Sequence, residues 1–339
     1  MAFKMATAIL LTAATLGAVE TGGDKVAKAA DDICKEQAFL RGLREHIQSK
    51  VRTGKAKIDT MRQQASKWQL AEAAGGDRTR TCALRKLQLY AAASLTVEMA
   101  KQAALELTAA KALNAISEQI GSLDAASKLS EAIATDSTNG HTAATTVLNL
   151  KLSTAAGSGP VRNAVADASK IEPTTGTPTY ERAHELKLTK PADLYKVLKS
   201  TKVSIGGLTT CANQASPTTL RTAIGSCTAD GSDETLTVSS TTGNKQATTT
   251  ATKIFKREED MTQCDTAVTQ EDTHQDKQQL LALHVCRTLL QPAAEGPGPS
   301  ELSGKTLKES QTVLTALRNC VPELQTLRDA STGDTEQKL

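Results

Sequence analysis

The sequence predicts a mainly α fold: a long antiparallel helical hairpin, a coiled-coil-like stalk, with smaller disulfide-tied α+β insertions forming a head. Three observations carry that expectation. Apolar residues from Ile33 to Leu123 recur at steps of mostly 3, 4 or 7, which holds them on one face of an α-helix. The pattern breaks once, at Gly75-Gly76-Asp77, where a turn belongs. No proline interrupts the chain before Pro160.

The elements follow in order. Met1-Ala2-Phe3-Lys4 puts a positive charge ahead of the apolar run Met5 to Val19, with small residues at Gly17, Ala18, Gly22 and Gly23. That is the layout of a cleaved secretory signal over residues 1–23. A run of about fifteen apolar residues is short for a membrane span, which needs ~20. Residues 24–339 then read as one elongated domain. Its hairpin, residues 30–134, carries Ile33, Leu40, Leu43, Ile47, Val51, Ile58, Met61, Ala65 and Trp68 on the first helix. The second helix carries Leu84, Leu87, Ala91, Leu95, Met99, Leu113, Ile116, Ile120 and Leu123. Helices of roughly 45 and 50 residues would run ~65–75 Å each. Trp68, on the apolar stripe, is expected in the core, and the charges Arg41, Arg44, Glu45, Lys50 and Arg52 on a solvated face.

The helical pattern fades after Ile133, at the polar run Thr135 to Gly140. The head and insertions occupy residues 135–260. Leu148, Leu150 and Leu152 alternate with polar residues as a strand does. Short helical stretches are read at Tyr180–Leu188 and Pro191–Leu198, and short strands at Val203–Leu208 and Leu236–Val238. Residues 232–252 hold 11 Ser or Thr in 21 positions, a composition expected of a surface loop. Late helices span residues 273–330. Thr273-His274-Gln275-Asp276 resembles a capping box ahead of Leu280, Leu281, Leu283, Val285, Leu289 and Leu290. A Gly/Pro loop at Pro292–Pro299 separates these from a last helix at Leu302–Leu327.

Composition narrows the function. A net charge of +3 favours neither nucleic acid nor an anionic membrane surface. Beyond the signal, the aromatics are only Phe39, Phe255, Tyr90, Tyr180, Tyr195 and Trp68, too few for an aromatic-walled pocket or a base-stacking groove. Seven cysteines, Cys34, Cys82, Cys211, Cys227, Cys264, Cys286 and Cys320, read as disulfides in an exported chain. Their number is odd, so one is free, paired between chains, or bonded to something outside the sequence. On straight helices Cys34 and Cys82 sit ~50 Å apart along the stalk, and a disulfide needs Cα atoms within ~7 Å. Cys34 is therefore expected to bond to the later half of the chain. Spacing suggests the local pairs Cys211–Cys227 and Cys264–Cys286.

Site chemistry is thin. Gly304-Lys305-Thr306 lacks the glycine five residues earlier that a phosphate-binding loop requires; Pro299 stands there. Cys264, His274, His284 and Cys286 are metal-ligand types at spacings that match no common zinc pattern. His46, His141 and His184 have no evident nucleophile, and no Gly-x-Ser-x-Gly or His-Glu-x-x-His motif occurs. The expectation is a non-enzyme with no catalytic, cofactor-binding or metal residues. No Asn-x-Ser/Thr sequon is present.

In order along the chain, these pieces resemble the N-terminal domain of trypanosome variant surface glycoproteins. The likeness rests on Cys34 opening a long helix that reaches Lys67-Trp68-Gln69-Leu70-Ala71, and on Asn139-Gly140-His141 leading into Val147–Leu152. It rests further on Cys211 with Ile224-Gly225-Ser226-Cys227, and on Cys264 followed by the run Asp276 to Cys286. The resemblance implies a homodimer formed through the helical stalk, sent through the ER to the cell surface. It implies a coat antigen that shields the plasma membrane, meets host antibodies and supports antigenic variation and immune evasion, without catalysis. Attachment would be by a glycolipid (GPI) anchor on a small cysteine-rich C-terminal domain that this sequence lacks. A receptor or host serum-factor-binding protein on the same fold is the alternative.

Overall fold

In a computed structural model of the chain, the residues described are 24–144, 147–157, 165–173, 176–210, 227–229, 235–241, 247–268, 271 and 274–295. A short helix α1 (Lys25–Ala29) precedes the two long ones, α2 (Ile33–Ala73) and α3 (Arg78–Glu131). At ~1.5 Å per residue, their 41 and 54 residues make rods of ~62 and ~81 Å. Each start is capped by an aspartate. Asp32 accepts from the backbone N–H groups of Cys34 (2.8 Å) and Lys35 (3.0 Å), and Asp77 from that of Arg80 (2.8 Å). The turn between them needs its glycines: Gly75 and Gly76 have φ of +81° and +155°, conformations costly for any residue with a Cβ. The predicted hairpin is thus present, with its break where the sequence puts it.

The head departs from expectation in three places. α3 ends at Glu131, and the chain goes directly into an extended strand, β1 (Ala132–Ala144), paired antiparallel with β2 (Val147–Ala156). The polar run Thr135 to Asn139, read as a break, lies inside β1; its β-branched threonines suit a strand better than a helix. Next, only Tyr180–Arg182 of the stretch read as helical to Leu188 turns, as 3₁₀ helix. Leu186 and Leu188 alternate with Glu185 and Lys187, and that period of two makes β3 (Glu185–Thr189). Beyond it come α4 (Pro191–Leu194) and a 3₁₀ turn at Tyr195–Val197, matching the predicted helical stretch.

The remaining strands are β4 (Ser200–Gly206), β5 (Leu208–Thr210), β6 (Thr228–Ala229), β7 (Thr235–Thr241) and β8 (Thr249–Lys253). They pair antiparallel as β3–β8, β4–β7 and β5–β6. The Ser/Thr-rich segment is therefore not simply a surface loop, because β7 and β8 come from it. In the β4–β7 register Val203 stands opposite Val238 and Ile205 opposite Leu236.

Helix α5 (Lys277–Leu290) is capped by Asp276, three residues later than the predicted Thr273 start. It lies against α3 and brings the late segment onto the hairpin. The core forms where the layers meet. Leu40, Leu43 and Ile47 from α2 and Ile116, Ile120 and Leu123 from α3 pack with Leu186, Leu188, Ile254, Phe255, Leu281 and Val285. Trp68, expected in a core, is only half-buried near the turn end, where two helices cannot surround an indole. The signal, Gly304-Lys305-Thr306, the helix read at residues 302–327, Cys211 and Cys320 lie outside the described residues.

Candidate functional site

A buried polar junction ties the hairpin to the head. Glu36, in the first turns of α2, is 1% exposed. Its carboxylate accepts from the backbone N–H of Thr189 (3.0 Å), the Thr189 hydroxyl (2.6 Å) and Gln119 Nε2 (2.7 Å). The Thr189 carbonyl in turn accepts from Gln119 Nε2 (3.0 Å) and from Gln278 Nε2 of α5 (3.2 Å). Four elements, α2, α3, β3 and α5, meet at this point. Burial pushes the Glu36 carboxyl up to about 7; the hydrogen bonds from Thr189 and Gln119 oppose that rise, and the charge of Asp32 adds to it. Every one of these bonds joins one element to another, and the chemistry is that of a joint.

A second cluster surrounds Tyr180. Its ring lies 5.4 Å from that of Phe39 and 5.2 Å from that of His46, and His46 Nε2 is 2.9 Å from Glu181. The 3₁₀ turn fits against α2 because position 42 is glycine: a Cβ there would stand 2.0 Å from the Tyr180 hydroxyl. Burial, reinforced by the charges of Asp24, Glu45 and Asp167, raises the Tyr180 phenol to about 12.

Two shallow grooves flank the long helices. One, of about 310 Å³, is lined by Lys55, Ile58, Asp59, Arg62, Met99 and Gln102. The other, of about 410 Å³, lies between α3 and α5, with Lys111, Glu118, Glu271, Lys277 and His284 on its walls. Its charges are already matched: Lys111 to Glu271 at 2.9 Å, Arg287 to Glu271, and Lys277 to Glu118. Desolvation, then the charge of Lys111, lowers the pKa of His284.

The metal-type residues also have other partners. Cys264 and Cys286 are bonded to each other, with Cα atoms 5.6 Å apart, as the spacing suggested. His274 pairs with Gln279 at 2.7 Å. Cys82 and Cys227 are each disulfide-bonded. Cys34, expected to bond to the later half of the chain, instead keeps its thiol, half-buried in the first turn of α2.

The outward surface of the stalk was not singled out by periodicity. Leu70, Leu89, Val97 and Leu107 are 71%, 47%, 55% and 66% exposed. From Leu87 to Ala100 the only charged residue is Glu98, and it is buried. That uncharged run was visible in the sequence and is a surface suited to another apolar face.

A hairpin of this length, with its head and late helix stacked at the open end, has counterparts among solved structures. Variant surface glycoprotein VSGsur bound to suramin superposes with a TM-score of 0.68 at 17% identity, over 93% of this chain and 84% of that one. The chain has the variant surface glycoprotein fold. A histidine-to-alanine mutant of VSGsur soaked in 7.7 mM suramin gives 0.67 at 19% identity, over 93% and 90%. VSGsur without a named ligand gives 0.65 at 18% identity, over 93% and 89%. No protein-family model and no curated protein matches the sequence. Among the described residues no helix is long and apolar enough to cross a membrane.

Proposed function

We propose that this chain is a surface coat antigen: a protein whose long stalk holds a disulfide-tied head away from the plasma membrane and shields that membrane from antibody. One observation carries the reading, the match of the whole hairpin-plus-head architecture to variant surface glycoprotein structures over 93% of the chain. Export by a secretory signal, a glycolipid anchor, display at the cell surface, and a role in antigenic variation and immune evasion belong to the same proposal. So does a homodimer through the stalk, supported by the uncharged outward face of α3. The polar, charge-matched grooves favour a structural role over catalysis.

Sedimentation with small-angle scattering of residues 24–339 tests it. An elongated dimer is expected, and a compact monomer would overturn the dimeric-coat reading. A receptor on the same fold is the second reading, and one observation favours it: VSGsur, with this fold, has been solved bound to suramin. Pull-down from mammalian serum separates the two, because a saturable partner at nanomolar strength is expected only of a receptor.

A further inference from the structure

We infer that the turn end of the hairpin is a docking tip for a bilayer carrying anionic headgroups, and that it meets that surface end-on. The chain's total charge of +3 hides a strong segregation. Residues 50–101, the lower stalk, hold eleven Lys or Arg against four Asp or Glu, while the rest of the chain is net negative. A local excess of that size attracts an anionic surface whatever the whole-chain average. Orientation alone comes from the coat reading: a head held away from the membrane leaves the turn facing it.

The tip itself is open and cationic. Every residue from Ala73 to Arg78 is exposed, as are Lys67, Leu70 and Arg80. Among the described residues no carboxylate pairs with Lys67, Arg78, Arg80 or Lys86. The two acids of this end are already engaged. Asp77 accepts from the backbone N–H of Arg80 at 2.8 Å; Glu72 accepts from Gln88 Nε2 at 2.7 Å and has Arg85 at 3.8 Å. The dipole of α3 opposes cations in its first turn, and no acid stands there, so Arg78 and Arg80 do not serve the helix.

The geometry favours a plane over a thread-like polyanion. At ~100° per residue, Arg78, Arg80 and Lys86 project from three different sides of α3, and Lys67 comes from the other helix. Together they surround the end of the rod, whereas a sulfated polysaccharide chain needs a track along one face. Lys67 and Lys86 stand ~12–14 Å back from the turn, a distance their long side chains shorten to about one Debye length. Leu70, 71% exposed beside Ala73 and Ala74, adds the apolar contact that seats cationic segments at the headgroup boundary. Each cation near an acidic bilayer is worth about fivefold in affinity. On a chain tethered to that bilayer, modest intrinsic affinity suffices.

The test is cosedimentation of the full secreted chain with vesicles, phosphatidylcholine alone against phosphatidylcholine with about 30% phosphatidylserine. Binding is expected only to the acidic vesicles in about 0.1 M salt, and is lost in about 0.5 M salt, where the Debye length falls to ~4 Å. Lys67→Gln, Arg78→Gln, Arg80→Gln and Lys86→Gln combined should weaken binding about 500-fold, to the phosphatidylcholine level. The same four charges removed at the head, by Lys128→Gln, Lys190→Gln, Lys256→Gln and Arg257→Gln, should leave it unchanged, with both variants folded by circular dichroism. Trp68, the only tryptophan, lies ~10 Å from the turn and ~50 Å from the head end of α2, so energy transfer to a dansyl-labelled headgroup is expected with the wild type. Equal binding to both vesicles, equal losses in the two variants, no transfer from Trp68, or retention on heparin without vesicle binding would each overturn the inference. A compact monomer that still bound acidic vesicles through these four residues would sink the coat reading alone.

Discussion

The two halves of the hairpin share a helix pair and differ in nearly everything else. In the upper half, Leu43, Ile47, Leu105, Ile116 and Leu123 are completely buried. In the lower half, Ile58 and Met61 still close the seam, but Leu70 and Leu89 stand in the open. The heptad-like spacing is the same in both. The difference is a third layer: β3, the Phe255 segment and α5 cover the upper helices, while two helices alone can close only the narrow seam between them. Periodicity therefore reports which face of a helix is apolar, and neighbours decide how much of that face leaves water.

The largest predicted effect follows from that contrast. Leu43→Ala or Ile116→Ala should cost ~2–5 kcal/mol by thermal or urea denaturation, since each opens a cavity in a closed core. Leu70→Ala and Leu89→Ala, one layer lower, should fall within about 0.5 kcal/mol in the monomer. Comparable losses at all four positions would erase the distinction between the halves.

Next in size is Glu36, the charged group inside the upper junction. Its folded-state value near 7 lies above the ordinary value of 4.5, so the folded state binds the proton more tightly than the unfolded chain does. Its contribution to stability is complete below about pH 4.5 and is lost as pH rises through 7, about 3 kcal/mol over that interval. Glu36→Gln should flatten this part of the stability curve, measured as urea midpoints from pH 4 to 8. A variant with the wild-type slope would show that other groups set the pH dependence.

How legible this was depends on the kind of signal. The hairpin, its Gly75-Gly76 turn and the Cys264–Cys286 pair could be read because each depends on local spacing alone. β3 could not, since Leu186 and Leu188 suit a helix or a strand until β8 arrives from sixty residues away. The Ser/Thr segment misled for the same reason: its composition is polar, but a strand needs a partner more than it needs apolar side chains. Glu36 gave no warning at all, because a carboxylate in a first helical turn is ordinarily a solvated dipole partner. Only the fold places Thr189, Gln119 and Gln278 around it.

A smaller effect belongs to the turn. Asp77→Ala removes the cap on Arg80 and should cost ~1 kcal/mol. Hydrogen exchange should then quicken over residues 78–81 while the upper core stays protected. Protection lost equally at both ends would mean that the stalk unfolds as one unit.

The smallest effect sharpens the comparison, because it comes from the upper half. Arg41 of α2 reaches Asp124 of α3 at 3.2 Å, beside the buried Leu40 and Leu123. Both side chains remain about half exposed, so water and salt screen the pair. Asp124 would also keep the hydrogen bond from Gln37 at 2.8 Å after Arg41 is gone. Arg41→Ala should therefore change stability by less than ~1 kcal/mol, and 0.5 M salt should shrink even that. If so, height along the stalk is not what makes a residue matter: Arg41 and Leu43 are two positions apart on one helix, and only the one beneath the third layer holds the fold.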